Sequence, residues 1–401
     1  MFAFQEEEMT PIRIKVIGLG GAGCNAVNTM IAAGLTRVEF VVANTDLQSL
    51  SKSSTQYRIQ LGPTRTKGLG AGANPEVGKE SALESEDDIR AALEDADMVF
   101  VTAGMGGGTG TGGAPVAARL ARDLGILTVG VVTKPFQHEG QRRMGYAEEG
   151  LRELRRHVDS LLVIPNQKLL TLVDKSTPVL EAFKVADDVL RQAIKGITDV
   201  ITTPGLVNVD FADVKTVMSY RGRAVMGMGV ARGANRAIEA VQQAMTSPLL
   251  EESGIEGAKG MLFNITGGTD LSLHELDEAS TIAKEAADPQ ANIIVGHVID
   301  PGLVDEVIIT VIATGFEQQQ DLLRTTSVAN PVVQERPRLP VPPVPQPVLT
   351  MAGKASPDGS DDDLDRPAFM RRGELDSRIE QGDLLVDADW DVPTFLRRRA
   401  N

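Results

Sequence analysis

Over the first 165 positions, short apolar runs alternate with amphipathic stretches. Ile12–Ile17, Val38–Ala43, Met98–Thr102, Ile126–Thr133 and Leu161–Ile164 are rich in Val, Ile and Leu on both faces. That is the pattern of strands in a parallel sheet covered by helices. Helical periodicity fills the gaps. Asn25–Ala33 is one helix, Asn74-Pro75 opens another as N-cap and first-turn proline, and Ala114–Leu124 is a third, stopped by Gly125. This alternation predicts a doubly wound, Rossmann-like α/β domain with ligands at the carboxyl ends of the strands. Thr177-Pro178 then opens a long helix to about Lys195. Its apolar positions Val179, Leu180, Phe183, Ala186, Leu190, Ala193, Ile194 and Ile197 recur at helical spacing. Beyond Pro204-Gly205, Val217–Met228 and Lys259–Ile265 read as strand-rich or mixed. Glu275–Ala287 reads as helix, Asn292–Val298 and Glu306–Ala313 as strands. A second, α+β domain with its own core is expected there.

The periodicity stops after Phe316. Residues 331–347 hold seven prolines in seventeen positions, and 348–388 mix Gly, Ser, Asp and Arg. Such a segment cannot bury enough apolar surface to order itself and reads as a disordered linker, extended in its first part. Residues 389–401, DWDVPTFLRRRAN, then bring the sole Trp, three further apolar side chains and three arginines. An apolar cluster on a disordered leash reads as a short docking peptide.

Composition narrows the classes. The 401 residues are 42% hydrophobic but only 4% aromatic, so cores must rest on Val, Ile, Leu, Ala and Met. A net charge of −15 argues against nucleic acid and against adsorption to anionic lipid. Cys24 is the single cysteine, which points to an intracellular setting. No run approaches the ~18 apolar residues of a membrane span, and MFAFQEEEMTP lacks the apolar core of a signal peptide. A soluble, cytosolic chain with no direct membrane insertion is expected. Four scattered histidines do not make a zinc site.

The chemistry concentrates in glycine. Residues 104–113, GMGGGTGTGG, carry seven glycines in ten positions between a strand and a helix. A loop of this kind brings backbone N–H groups to an anion at a helix N-terminus, so phosphate is the expected ligand. A second cluster, Gly18–Gly23, follows the first strand. Gly18, Gly20 and Gly23 also fit the dinucleotide fingerprint, with Asp46 or Glu39 as its acidic companion. The P-loop pattern is absent: five residues, not four, separate Gly72 from Gly78, and Glu80 follows Lys79. Cys24 lies within the first cluster as a small residue expected to line a crowded site. Residues 208–213, NVDFAD, place Asp210 and Asp213 where a loop enters a helix, with Asp213 expected as its N-cap. They either cap and face solvent, or polarise a water or hold a cation beside a phosphate chain. Two pairs share a helix face at i, i+4: Glu139 with Arg143, and Phe183 with Asp187. The plain readings are a surface ion pair and a core Phe. Asp187, however, is able to accept both the N1–H and the exocyclic amine of guanine.

GGGTGTG (106–112) followed by NVDFAD (208–213) resembles the FtsZ family of tubulin-like bacterial cell-division GTPases. GGAGCN (20–25), NTD (44–46), GAGANPE (70–76), TSPLLE (246–251) and NITGG (264–268) are similar too. The resemblance covers about 12–316 and includes the terminal peptide. It implies a Rossmann-like, tubulin-type GTP-binding domain over 12–176, a central helix and connection over 177–203, and an α+β domain over 204–317. A flexible N-terminus (1–11), a disordered linker (318–388) and a docking peptide (389–401) complete it. By resemblance, Gly21, Ala22, Gly23, Cys24, Asn25, Gly108, Thr109 and Gly110 contact the nucleotide from the two glycine segments. Ala71, Gly72 and Ala73 lie near the γ-phosphate, Glu139 meets the ribose, Arg143 binds beside it, and Asn166, Phe183 and Asp187 recognise guanine. Asp210 and Asp213 would activate water on the nucleotide of the next subunit, so hydrolysis of GTP to GDP would depend on head-to-tail filament assembly. Mg²⁺ would accompany the nucleotide. Trp390, Val392, Pro393, Phe395, Leu396 and Arg397 would dock membrane-tethering and regulatory division proteins at a cytoplasmic, mid-cell division ring. Ala22 and Cys24 replace glycines common in the family. Two other readings stay open: a dinucleotide-dependent oxidoreductase using Gly18–Gly23, and a nucleotide-gated scaffold without turnover.

Overall fold

The computed structural model describes residues 12–316 apart from 172, 175, 204–208, 221, 251–254 and 256. The N-terminus, the linker, the docking peptide and Asn208 therefore lie outside the described residues.

Ten strands form one mixed sheet in the order β3-β2-β1-β4-β5-β6-β7-β10-β8-β9. The first six are β1 (Ile14–Leu19), β2 (Glu39–Asn44), β3 (Tyr57–Gln60), β4 (Met98–Gly104), β5 (Leu127–Lys134) and β6 (Ser160–Pro165), all parallel. Their order is the doubly wound one expected from the alternation. β7 (Gly222–Arg232) continues the sheet parallel to β6, while β10 (Glu306–Phe316) runs antiparallel between β7 and β8 (Gly260–Gly267). β9 (Asn292–Ile299) closes it, parallel to β8.

Twelve α-helices accompany the described strands. α1 (Gly20–Ala32), α2 (Leu47–Ser51), α3 (Pro63–Thr66), α4 (Pro75–Glu84), α5 (Glu86–Leu93) and α6 (Thr109–Asp123) belong to the first half. α7 (Gln141–Arg155), α8 (Asn166–Leu169) and the 24-residue α9 (Val179–Thr202) lead to α10 (Phe211–Met218), α11 (Arg236–Met245) and α12 (Leu273–Ala286). One buried cluster joins α1 and α9 to both halves of the sheet: Ile194 packs in it with Leu162 of β6, Met226 of β7 and Ile312 of β10. A second fills the opposite face of β1–β6 under α4–α7, and a third lies under α11 and α12.

The structure corrects three expectations. α9 runs past Lys195 to Thr202, because Ile197 and Val200 continue its buried stripe. Val217–Met228 is not one strand: α10 ends at Met218 and β7 starts at Gly222. The glycine segment 104–113 is not wholly a loop either. Gly104 ends β4, and Thr109 through Gly113 already belong to α6. Packing overrides the poor helix propensity of glycine there. A Cβ at Gly112 would be driven into the carbonyl of Pro75, and one at Gly78 into that of Gly108. α4 and α6 thus cross at backbone contact, and glycines allow the approach.

Candidate functional site

At the carboxyl end of β1 the chain passes directly into α1, with Gly20 at φ +72°. Beside it, β4 ends and the turn Met105-Gly106-Gly107 leads into α6. Gly106 sits at φ +96°, a region costly for any side chain. Its N–H donates to the Thr111 hydroxyl at 2.8 Å, tying the turn to the first turn of the helix. The two glycine segments touch: a Cβ on Gly20 would lie 2.9 Å from the Gly110 nitrogen. The result is a cleft of about 250 Å³ floored by helix N-termini. The unpaired N–H groups and macrodipole of the 15-residue α6 make that floor a place for negative charge.

Gly21, Ala22, Gly108, Thr109 and Gly110 line the glycine-rich end of this cleft. Glu139, Arg143, Asn166, Phe183 and Asp187 line the rest. Glu139 is held twice: Oε1 accepts the Phe136 N–H at 2.8 Å, and Oε2 pairs with Arg143 Nη1 at 2.6 Å. Phe183 is not a core residue; it is 40% exposed, with its ring edge-on to Phe136 at 5.3 Å. Asn166, at the start of α8, is buried, and its Oδ1 has no partner among the described residues. An orphaned buried acceptor in a cleft wall is costly unless a ligand N–H fills it. Burial also pushes the Asp187 carboxyl up to about 7.

Other predicted residues lie off the cleft lining. Gly23 is packed against the Thr102 carbonyl and Gly18, and Asn25 is exposed on α1. Cys24 does not line the site. It is buried in the core, where its sulfur accepts from Asn44 Nδ2 at 3.8 Å and desolvation raises the thiol to about 11. Ala71 is buried against Gly108, whose Cβ would stand 2.8 Å from that of Ala71, and Gly72 and Ala73 follow at φ +58° and +56°. This turn borders the glycine-rich end. Asp210 and Asp213 are exposed. Asp210, not Asp213, is the N-cap of α10, and Asp213 sits in its first turn. They follow the far end of α9. From Asp187 to Thr202 the helix rises about 22 Å, and its end is held by Arg37 of the α1–β2 loop, which donates to the Thr202 carbonyl.

Sequence reading missed Phe136, which backs both Phe183 and Glu139. It also passed over the individual role of Thr45 within NTD, although the hydroxyl of Thr45 lies 2.6 Å from that of Thr109. A larger groove, about 640 Å³ between α4, α6 and α7, shares no residue with the cleft and is lined by mixed charges.

The Tubulin/FtsZ family GTPase-domain model matches residues 13–174, and the FtsZ family C-terminal-domain model matches 222–317. The chain belongs to the Tubulin/FtsZ family. An empty FtsZ dimer from M. jannaschii is 46% identical, with TM-score 0.74 over 77% of this chain and 89% of that one. A point mutant of M. jannaschii FtsZ is likewise 46% identical, with TM-score 0.74 over 76% and 92%. GDP-bound CetZ1 from Haloferax volcanii, at 23% identity and TM-score 0.67 over 79% and 100%, shares the fold. This FtsZ-family chain is a GTPase that binds guanine nucleotide, which leaves the oxidoreductase reading without support. No helix among the described residues is long and apolar enough to cross a membrane.

Proposed function

We propose that the chain is a GTP-dependent polymerising protein of the division ring, in which GTP held by one subunit is hydrolysed with the acidic loop of the next. The supporting observation is the separation of the two chemistries. The cleft is lined by the two glycine segments and the Asp187 carboxyl, while Asp210 and Asp213 stand exposed at the start of α10, which follows α9 in the chain, and are not part of that lining. A subunit stacked head to tail brings that acidic end onto its neighbour's cleft, and the repeat does not close, so filaments result. The phosphates lie on the N-terminus of α6, bordered by Ala71–Ala73, and Thr109 donates from the first helical position. Glu139 holds the ribose with Arg143 beside it. Asn166, Phe183 and Asp187 take the base, the Asp187 carboxylate accepting the donor pair that adenine lacks. Asp210 and Asp213 orient and deprotonate the water that attacks the γ-phosphorus, and the N–H groups of α6 stabilise charge on the phosphate oxygens.

Among the described residues no three carboxylate, His or Cys side chains converge as a metal cage. A magnesium ion would be carried by the phosphates and water, as is usual for this cation. The division at 176 and 203, the cytoplasmic mid-cell location, and docking of division proteins through Trp390–Arg397 belong to the same reading. Asp213→Ala tests it. Nucleotide binding and sedimentable assembly are retained while phosphate release falls at least a hundredfold. Loss of GTP binding, or undiminished turnover, would overturn it.

A further inference from the structure

Thr45 sits where three segments of the site meet. It follows β2, is fully buried and is not part of the cleft lining. Its hydroxyl lies 2.6 Å from that of Thr109, the first residue of α6. Its carbonyl accepts the Gly70 N–H at 3.1 Å and the Thr66 hydroxyl at 3.3 Å. The seam continues beyond it, residue by residue. Asp46 and Leu69 form an isolated antiparallel bridge, and the Leu47 N–H donates to the Gly68 carbonyl at 3.1 Å. One residue thus links the turn that borders the glycine-rich end to the helix N-terminus that floors it.

We propose that Thr45 is a positioning residue that couples the segment 68–73 to Thr109 and so lets the site distinguish GTP from GDP. This rests on the reading above, in which Ala71–Ala73 lie beside the γ-phosphate. The coupling is mechanical. A shift of the turn drags the Thr45 carbonyl, and the hydroxyl pair carries that shift to Thr109, because breaking it would strand the fully buried Thr45 hydroxyl without a partner. A threonine that only stabilised the fold would affect both nucleotides alike.

The test uses the full chain below the concentration at which it assembles, with GDP and GTP each displacing a fluorescent guanine nucleotide. Thr45→Val keeps the side-chain shape and removes the hydroxyl. It raises the dissociation constant for GTP about tenfold and that for GDP less than twofold, and Thr45→Ser restores the wild-type ratio. Thr45→Ala removes the same hydroxyl without putting a methyl in its place and gives the same GTP-selective loss, so the coupling is read even if Thr45→Val fails to fold. Equal losses for the two nucleotides, or no loss in a folded variant, would overturn the proposal alone. Wild-type protein that bound neither nucleotide would overturn the nucleotide-site reading, and this proposal with it.

Discussion

A carboxylate reads the N1–H and amine of guanine only when it is ionised, and burial holds Asp187 up at about 7 in the free protein. At pH 6 roughly one molecule in ten then carries the charged form. GTP affinity is expected to be about tenfold weaker at pH 6 than on the plateau above pH 8, while Asp187→Asn binds weakly with no slope. Equilibrium titrations at three pH values check this, and tighter binding on acidification would refute it. Stability moves the other way. The folded carboxyl binds its proton more tightly than the unfolded one, so between pH ~4 and ~7 the folded state holds more protons. Unliganded protein should therefore lose stability through Asp187 as pH rises across that window, reaching its full penalty above 7. At this scale, i, i+4 spacing puts Glu139 with Arg143 and Phe183 with Asp187 on shared helix faces, but the spacing by itself reads as a surface ion pair and a core Phe, and only the family resemblance draws the four to one cleft. Phe136 was not legible: an aromatic at a strand end reads as core. Neither was the inward turn of Cys24, since a helix starting at Gly20 rather than at Asn25 rotates it into the core.

The same glycine composition does opposite things in different elements. In α6, Gly112 faces the Pro75 carbonyl of α4 with no space for a Cβ. Gly112→Ala should cost ~1–3 kcal/mol through overpacking and loosen the glycine turn behind it. Gly145, in the middle of α7, is exposed and has nothing within 4 Å of a built Cβ. Gly145→Ala should stabilise by about 0.5–1 kcal/mol through helix propensity. Denaturant unfolding of the two variants measures both signs, and equal effects would show that crowding at the α4–α6 crossing is not the cause. Here lies the limit of a composition argument. Seven glycines pointed to a phosphate site, but they did not say which serve the turn and which serve helix packing. Strands with strong Val/Ile runs were legible to within three residues. Tyr57–Gln60 and Arg236–Met245 were not, the first being a half-exposed edge and the second a helix whose buried face is mostly alanine.

For the whole molecule, function is predicted to divide between parts. Removing 389–401 should leave GTP turnover and assembly unchanged while abolishing capture of a membrane tether, and a polymerisation defect would show that the peptide belongs to the filament. The head-to-tail reading makes a sharper demand. Asp213→Ala has an intact cleft and a disabled acidic loop, whereas Asp187→Ala has the reverse. Alone, neither completes an active junction. Mixed, an Asp213→Ala subunit holding GTP meets the intact acids of an Asp187→Ala neighbour, and that single junction carries everything hydrolysis requires. In a random equimolar mixture about a quarter of junctions have this composition, so phosphate release should recover to roughly that fraction of wild type at concentrations where assembly is seen. The recovery should vanish on dilution, because two molecules are needed. If co-sedimentation confirms mixed assembly and no ratio of the two variants restores turnover, the acids act within their own subunit.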